Sequence, residues 1–133
     1  MTIVEFLLAR IARDEALAEA AIDDHPHWLA MGHDLYQYEG GVSSGYLAVD
    51  RRAPQGVEHI ANWDPARVLA ECQAKRAIIE LADEASGLDA SVDLDRAVGP
   101  RDFDAEPYVG DVILRQLAAV YADHPDYQPE WRP

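Results

Sequence analysis

DPARVLAECQAKRAIIEL, running from Asp64 to Leu81, carries the clearest helix signal in the chain. Asp64 can accept hydrogen bonds from the orphan amides of a helix start, and Pro65 suits the first helical position, where no amide donor is needed. Behind them Val68, Leu69, Cys72, Ile78, Ile79 and Leu81 recur at helical spacing, with Ala70, Ala74, Ala77 and Ala82 between them. A stripe this broad predicts a central helix that packs on two sides. Arg67, Glu71, Lys75 and Arg76 fall on its wet face, where Glu71 and Lys75 make a favourable i,i+4 pair. Ser86-Gly87 reads as the stop signal of this helix.

Toward the N-terminus, Thr2 and Glu5 make a capping-box pattern. Val4, Leu7, Leu8, Ile11, Ala18 and Ile22 then mark a first amphipathic helix to about Asp23. Its other face carries Arg10, Arg13, Asp14 and Glu19, with Arg10 and Asp14 an exposed pair. Asp24-His25-Pro26 ends it, because the residue before proline is pushed out of the helical region. From His27 to Asp50 the period changes: HWLAM, HDLYQY and GYLAVD are short runs of strand-forming residues, with turns expected at Gly32 and from Glu39-Gly40-Gly41 to Gly45. These runs predict a small antiparallel sheet of two or three strands, lying against one of the long helices, since isolated hairpins are marginal in water. Arg51 to Gly56 reads as a loop, and Val57 to Trp63 as a short helical turn that brings Trp63 to the start of the central helix.

Toward the C-terminus, Leu88 to Pro107 carries Gly99, Pro100 and six acidic residues, Asp89, Asp93, Asp95, Asp102, Asp104 and Glu106. The composition predicts an acidic, flexible connection over residues 86–107, with at most a helical turn from Asp93 to Val98. Tyr108 to Tyr121 reads as the last helix, ended by Asp123-His124-Pro125. The tail 123–133, with two further prolines in DYQPEWRP, cannot continue it, and Tyr127 and Trp131 are expected to fold back on the body. The fold expected over residues 1–133 is a single α+β domain: two long helices and a shorter C-terminal helix packed with a small antiparallel sheet.

Composition narrows the function. The 133 residues carry 25 acidic against 11 basic side chains, a net charge of −14, and Lys75 is the one lysine. That balance argues against direct nucleic-acid binding by charge neutralisation, though it admits an acidic surface that imitates DNA. The single cysteine, Cys72, sits inside a helical pattern as a small hydrophobe and excludes a disulfide framework within the chain. With no basic leader ahead of an apolar run and no run of eighteen apolar residues, the expectation is a cytoplasmic protein that neither enters nor spans a membrane.

Two stretches carry a resemblance. HIANWDPARVLAECQAKRAIIEL, His59 to Leu81, and YADHPDYQPEWRP, Tyr121 to Pro133, resemble the two signatures of DUF6221, a domain family of unknown function found in small proteins of actinobacteria and their phages. The likeness takes in the first helix and Arg115 to Val120 as well, and implies no activity. Members often have cysteines between the central and last helices. Residues 86–107 have none here, so any metal site those cysteines suggest does not carry over.

Asp24, His25 and His27, with Asp23 and His33 close by, could hold zinc or iron through two imidazoles and a carboxylate, although no second half such as HExxH follows. His59, Asp64, Arg67, Asp123, His124 and Arg132 would meet if the tail folds on the start of the central helix. There they could bind a small anion at the helix N-terminus, or simply latch the tail. Ser43 and Ser44 lie in a Gly-rich turn without a nucleophile elbow or the ending of a phosphate loop, so no catalytic residue and no cofactor are expected. The favoured reading is a non-catalytic accessory protein that binds another protein, possible as a homodimer through the central stripe. The alternatives are a small-molecule-binding or metal-dependent enzyme and an acidic DNA mimic.

Overall fold

A computed structural model describes residues 1–22, 25–39, 42–47, 54–92 and 107–133. In chain order the elements are α1 (Ile3–Ala20), β1 (Trp28–Met31), β2 (Asp34–Glu39), β3 (Val42–Leu47), α2 (Pro54–Asn62), α3 (Pro65–Val92) and α4 (Val109–Ala118). Two short 3-10 turns follow, Ala119–Tyr121 and Pro129–Trp131. The α+β class expected from the sequence is what this order shows, a mostly helical chain with one small antiparallel sheet. Several expectations concern other residues and lie outside the described ones: a turn at Gly40-Gly41, the loop at 51–53, the end of GYLAVD at 48–50, a helical turn at 93–98 and the acidic connection to Glu106.

The chain divides into two compact units, Met1–Ile11 with Ala74–Pro133, and Ala12–Gln73. Helices α1 and α3 contribute residues to both. In the second unit, β1, β2 and β3 pair in sequence order as an antiparallel meander. Met31 pairs with Asp34, leaving a two-residue loop whose first residue, Gly32, has φ +63°. Only glycine takes that left-handed conformation without a Cβ penalty, so the expected turn is built on it. Gly45 was expected in a turn but lies within β3. Tyr36 pairs with Tyr46 and Gln37 with Ser44, so Gly45 is the extra residue of a β-bulge, the usual meaning of a glycine inside a strand. The element that packs on β1 and β2 is α2, a short helix where a long one was expected. It begins at Pro54, since proline suits a first helical position, and the loop expected through Gly56 is therefore its first turn. Leu35 and Val57 are buried in this unit, as is Gln37, whose Oε1 accepts from the His25 amide at 3.0 Å.

In the first unit, α1 opens with the expected capping box: the Thr2 amide donates to Glu5 Oε2 at 2.7 Å and the Glu5 amide to Thr2 Oγ1 at 3.1 Å. The Thr2 amide first, and the Thr2 hydroxyl beside it, favour the charged form and hold the Glu5 carboxyl below the ordinary glutamate range. Phe6, Leu7 and Ile11 of α1, Ile79 and Ala82 of α3, Leu114 and Ala118 of α4, and Trp131 are its buried apolar side chains. Ser86-Gly87 does not stop α3, which continues to Val92. A glycine ends a helix by taking a left-handed φ, and among the described glycines only Gly32 has one. Gly87 is an interior helix residue with open space beside it, while Ser86 Oγ donates to Asp111 Oδ1 of α4 at 3.2 Å. One position into α4, Gly110 lies so close to α3 that a Cβ there would fall on the Ala82 carbonyl oxygen and Ser86 Oγ. Glycine is required at 110 by that approach, and merely tolerated at 87.

Candidate functional site

The residues expected to form one polar cluster fall in both units. In the second unit the organiser is Asp64. Its Oδ1 accepts the Arg67 amide at 2.8 Å, the expected N-cap, and its Oδ2 accepts the Trp28 amide at 3.2 Å. The Ala66 amide donates to the Pro26 carbonyl at 3.0 Å, so the lead into β1 is tied to the first turn of α3 by two bonds. His27 is exposed, with Nδ1 at 3.6 Å from Asp64 Oδ2. Arg67 is engaged three ways: Nη1 donates to the Asn62 carbonyl at 3.2 Å, Nε to Glu71 Oε1 at 3.1 Å, and the guanidinium lies 4.3 Å from the Trp63 ring centroid. Glu71 thus pairs one turn back with Arg67, where pairing forward to Lys75 was expected. His59 sits exposed in the last turn of α2.

In the first unit the tail is built around Phe6. Trp131 meets it at 5.0 Å between ring centroids, His124 edge-on at 5.6 Å, and Tyr121 and Tyr127 edge-on at 6.1 Å each. Tyr127 and Trp131 also meet each other at 5.7 Å and 89°. Edge-to-face rings place positive edges on negative faces, which gives each contact some energy beyond area burial. Successive turns hold the rings in place, with the amides of His124, Tyr127 and Trp131 donating to the carbonyls of Tyr121, His124 and Gln128. Gln128 Nε2 donates to the Met1 carbonyl at 3.2 Å.

Arg10 was expected on the wet face of α1, but it is half-buried, and its Nη1 donates to His124 Nε2. An arginine can only donate, so in the neutral ring the proton lies on Nδ1. That nitrogen then faces Asp126 Oδ2 at 3.8 Å and cannot accept from the Asp126 amide at 3.1 Å. Arg10 Nε and Tyr127 OH are buried with no hydrogen-bond partner among the described residues, as is Trp28 Nε1 in the other unit. Asp123 and Arg132 are exposed. Of the six residues, then, Asp64 and Arg67 are joined by the cap and His124 joins Arg10, a partner that the sequence did not single out. The available signal was the tail itself, whose four rings need an apolar centre that a Phe on the first helix could supply.

Of the metal candidates, Asp24 lies outside the described residues, His25 offers its amide to Gln37, and His27 turns toward Asp64. No group of three or more His, Cys, Asp or Glu side chains comes together among the described residues in a way that could hold a metal ion. No helix among them is long and apolar enough to cross a membrane.

The remaining feature is a surface. Along the part of α3 in the first unit, Ile78, Leu81 and Leu88 are 41, 65 and 68 % exposed, with Ala74 exposed and Ala85 half-buried between them. Ala74, Ile78, Leu81, Ala85 and Leu88 step by four, three, four and three residues, the heptad spacing that takes a partner helix. The face that carries Ile79, Ala82 and Ser86 is turned into the unit, so this seam is a second apolar stripe, roughly a third of the way round the helix at ~100° per residue. The expected stripe is as broad as the sequence suggested, and among the described residues only one side of it is buried.

The whole chain, residues 1–133, matches the model of a family described as a Family of unknown function (DUF6221). No curated protein and no solved structure matches it.

Proposed function

The chain belongs to the DUF6221 family, and from that premise we propose that it is a non-catalytic accessory module that binds another protein through the exposed seam of α3. The observation that carries this reading is the spacing of Ala74, Ile78, Leu81, Ala85 and Leu88 together with their exposure. Scattered apolar residues on a surface need no explanation, whereas a run in heptad register is what a helix offers to another helix. Burying Ile78, Leu81 and Leu88 is worth on the order of 1 kcal/mol each, given that they are already partly covered. That supports reversible association. A cytoplasmic setting in actinobacteria or their phages belongs to the same reading.

The test uses a designed helical peptide with Leu and Ile at heptad positions, titrated by fluorescence anisotropy against the full chain. Saturable one-to-one binding is expected, and the double variant Leu81→Gln/Leu88→Gln should weaken it at least about tenfold, since most of the apolar seam is lost. Because both leucines are exposed, the unfolding midpoint of that variant should stay where it is. Absence of binding by the unaltered chain would remove the reading.

A further inference from the structure

Resting on that reading, we infer that the partner of the α3 seam is an amphipathic helix with lysine or arginine along its edge, and that a second copy of this chain is not the natural occupant. The argument is charge. A helix seated on the seam has two flanks. One runs along Lys75, Ala82 and Asp89, where Ala82 is buried against its own unit and Gly110 of α4 lies on its carbonyl. The other flank is open and carries the exposed side chains of Ala77, Glu80, Glu84 and Ser91. Among the described residues its charges are the carboxylates of Glu80 and Glu84. Residues beside a heptad seam set partner choice through opposite charge, so this flank selects cations on the incoming helix.

Self-pairing meets the reverse condition. Two parallel copies of α3 would set Glu84 of one against Asp89 of the other, the ordinary flank-to-flank contact of a parallel coiled coil. Two antiparallel copies, with Leu81 against Ala85 and Ile78 against Leu88, would set Glu84 against Glu84, and the attraction of Lys75 for Asp89 at the far flank offsets this only in part. Like charges across such a seam destabilise it. Each copy also brings the net charge of −14, which opposes association as a whole.

Three designed peptides share one Leu/Ile seam and carry Lys, Gln or Glu at the flanking positions. Titrated against the full chain at about 50 mM salt, the Lys peptide should bind roughly fivefold tighter than the Gln peptide, and the Glu peptide weakest. The spread should narrow at about 300 mM salt, as screening shortens the reach of exposed charges. Glu80→Gln/Glu84→Gln should abolish the preference, while Glu19→Gln/Glu58→Gln, which removes equal charge from exposed positions in the other unit, should leave it in place. Equal binding of the Lys and Gln peptides would overturn this inference and leave the seam reading standing. A preference that survives Glu80→Gln/Glu84→Gln would also overturn it, because general attraction to an acidic protein would then explain it. A concentration-dependent dimer in sedimentation equilibrium that disappears with Leu81→Gln would make a second copy the occupant. If none of the peptides binds, the seam reading itself fails.

Discussion

Asp64 shows how much one carboxylate can hold when both oxygens have work to do. Oδ1 caps α3 and Oδ2 fixes the amide at the head of β1. Asp64→Ala removes both acceptors and should lower stability by about 2 kcal/mol, the upper end for a lost cap, because the Trp28 amide loses its partner too. Asp64→Asn keeps an acceptor for the cap, so urea unfolding should place it between the other two; equality with Asp64→Ala would mean that charge, not geometry, makes the contribution. Two glycines make a second residue-scale test, because the same substitution should act with opposite sign. Gly87→Ala fills open space in a helix interior and should stabilise by about 0.5–1 kcal/mol. Gly110→Ala drives a methyl into the Ala82 carbonyl and should destabilise by at least about 2 kcal/mol. Thermal unfolding of the two variants side by side decides it, and shifts of the same sign would contradict the close approach of α3 and α4.

At the scale of elements, the tail is a cluster of rings on Phe6 with very little regular structure of its own. Trp131 is 8 % exposed and meets both Phe6 and Tyr127, so Trp131→Ala should cost about 3 kcal/mol or more in chemical denaturation, whereas Gln128→Ala, which loses one exposed bond, should cost less than about 0.5. A small loss for Trp131→Ala would mean that the tail is not held through its ring. Element starts were legible in the sequence because capping is local chemistry: Thr2 with Glu5, and Asp64 with Pro65, announce helices within four residues. Ends were less so. Gly87 carries the letter of a stop without its conformation, and Gly45 the letter of a turn while serving as a bulge. Both differences are set by what packs nearby, which a single sequence does not display. Arg10 is the clearest case at the candidate site: its spacing put it on a solvated face, and only the fold of a tail more than a hundred positions away half-buries it against His124. The seam of α3 stands between these cases, since its width was readable but which side would stay open was not.

For the whole molecule the governing quantity is the charge of −14, spread over 25 acidic and 11 basic side chains. Acidic side chains outnumber basic ones by more than two to one, and an exposed i,i+4 pair such as Arg67 with Glu71 is worth only a few tenths of a kcal/mol. The excess negative charge therefore cannot all be neutralised within the chain, and its repulsion acts against the compact state. Screening should relieve it. Raising sodium chloride from about 10 to about 300 mM brings the Debye length from roughly 30 Å to under 10 Å, so the unfolding temperature should climb by several degrees before any effect of salt on apolar burial enters. The same screening weakens the selective part of partner binding at Glu80 and Glu84 while leaving the apolar part intact. Stability and specificity should thus move in opposite directions with salt. A chain whose unfolding temperature fell on adding salt would be one held together by ion pairs, and its acidity would then have to be explained as part of a paired network instead of as an open surface waiting for cations.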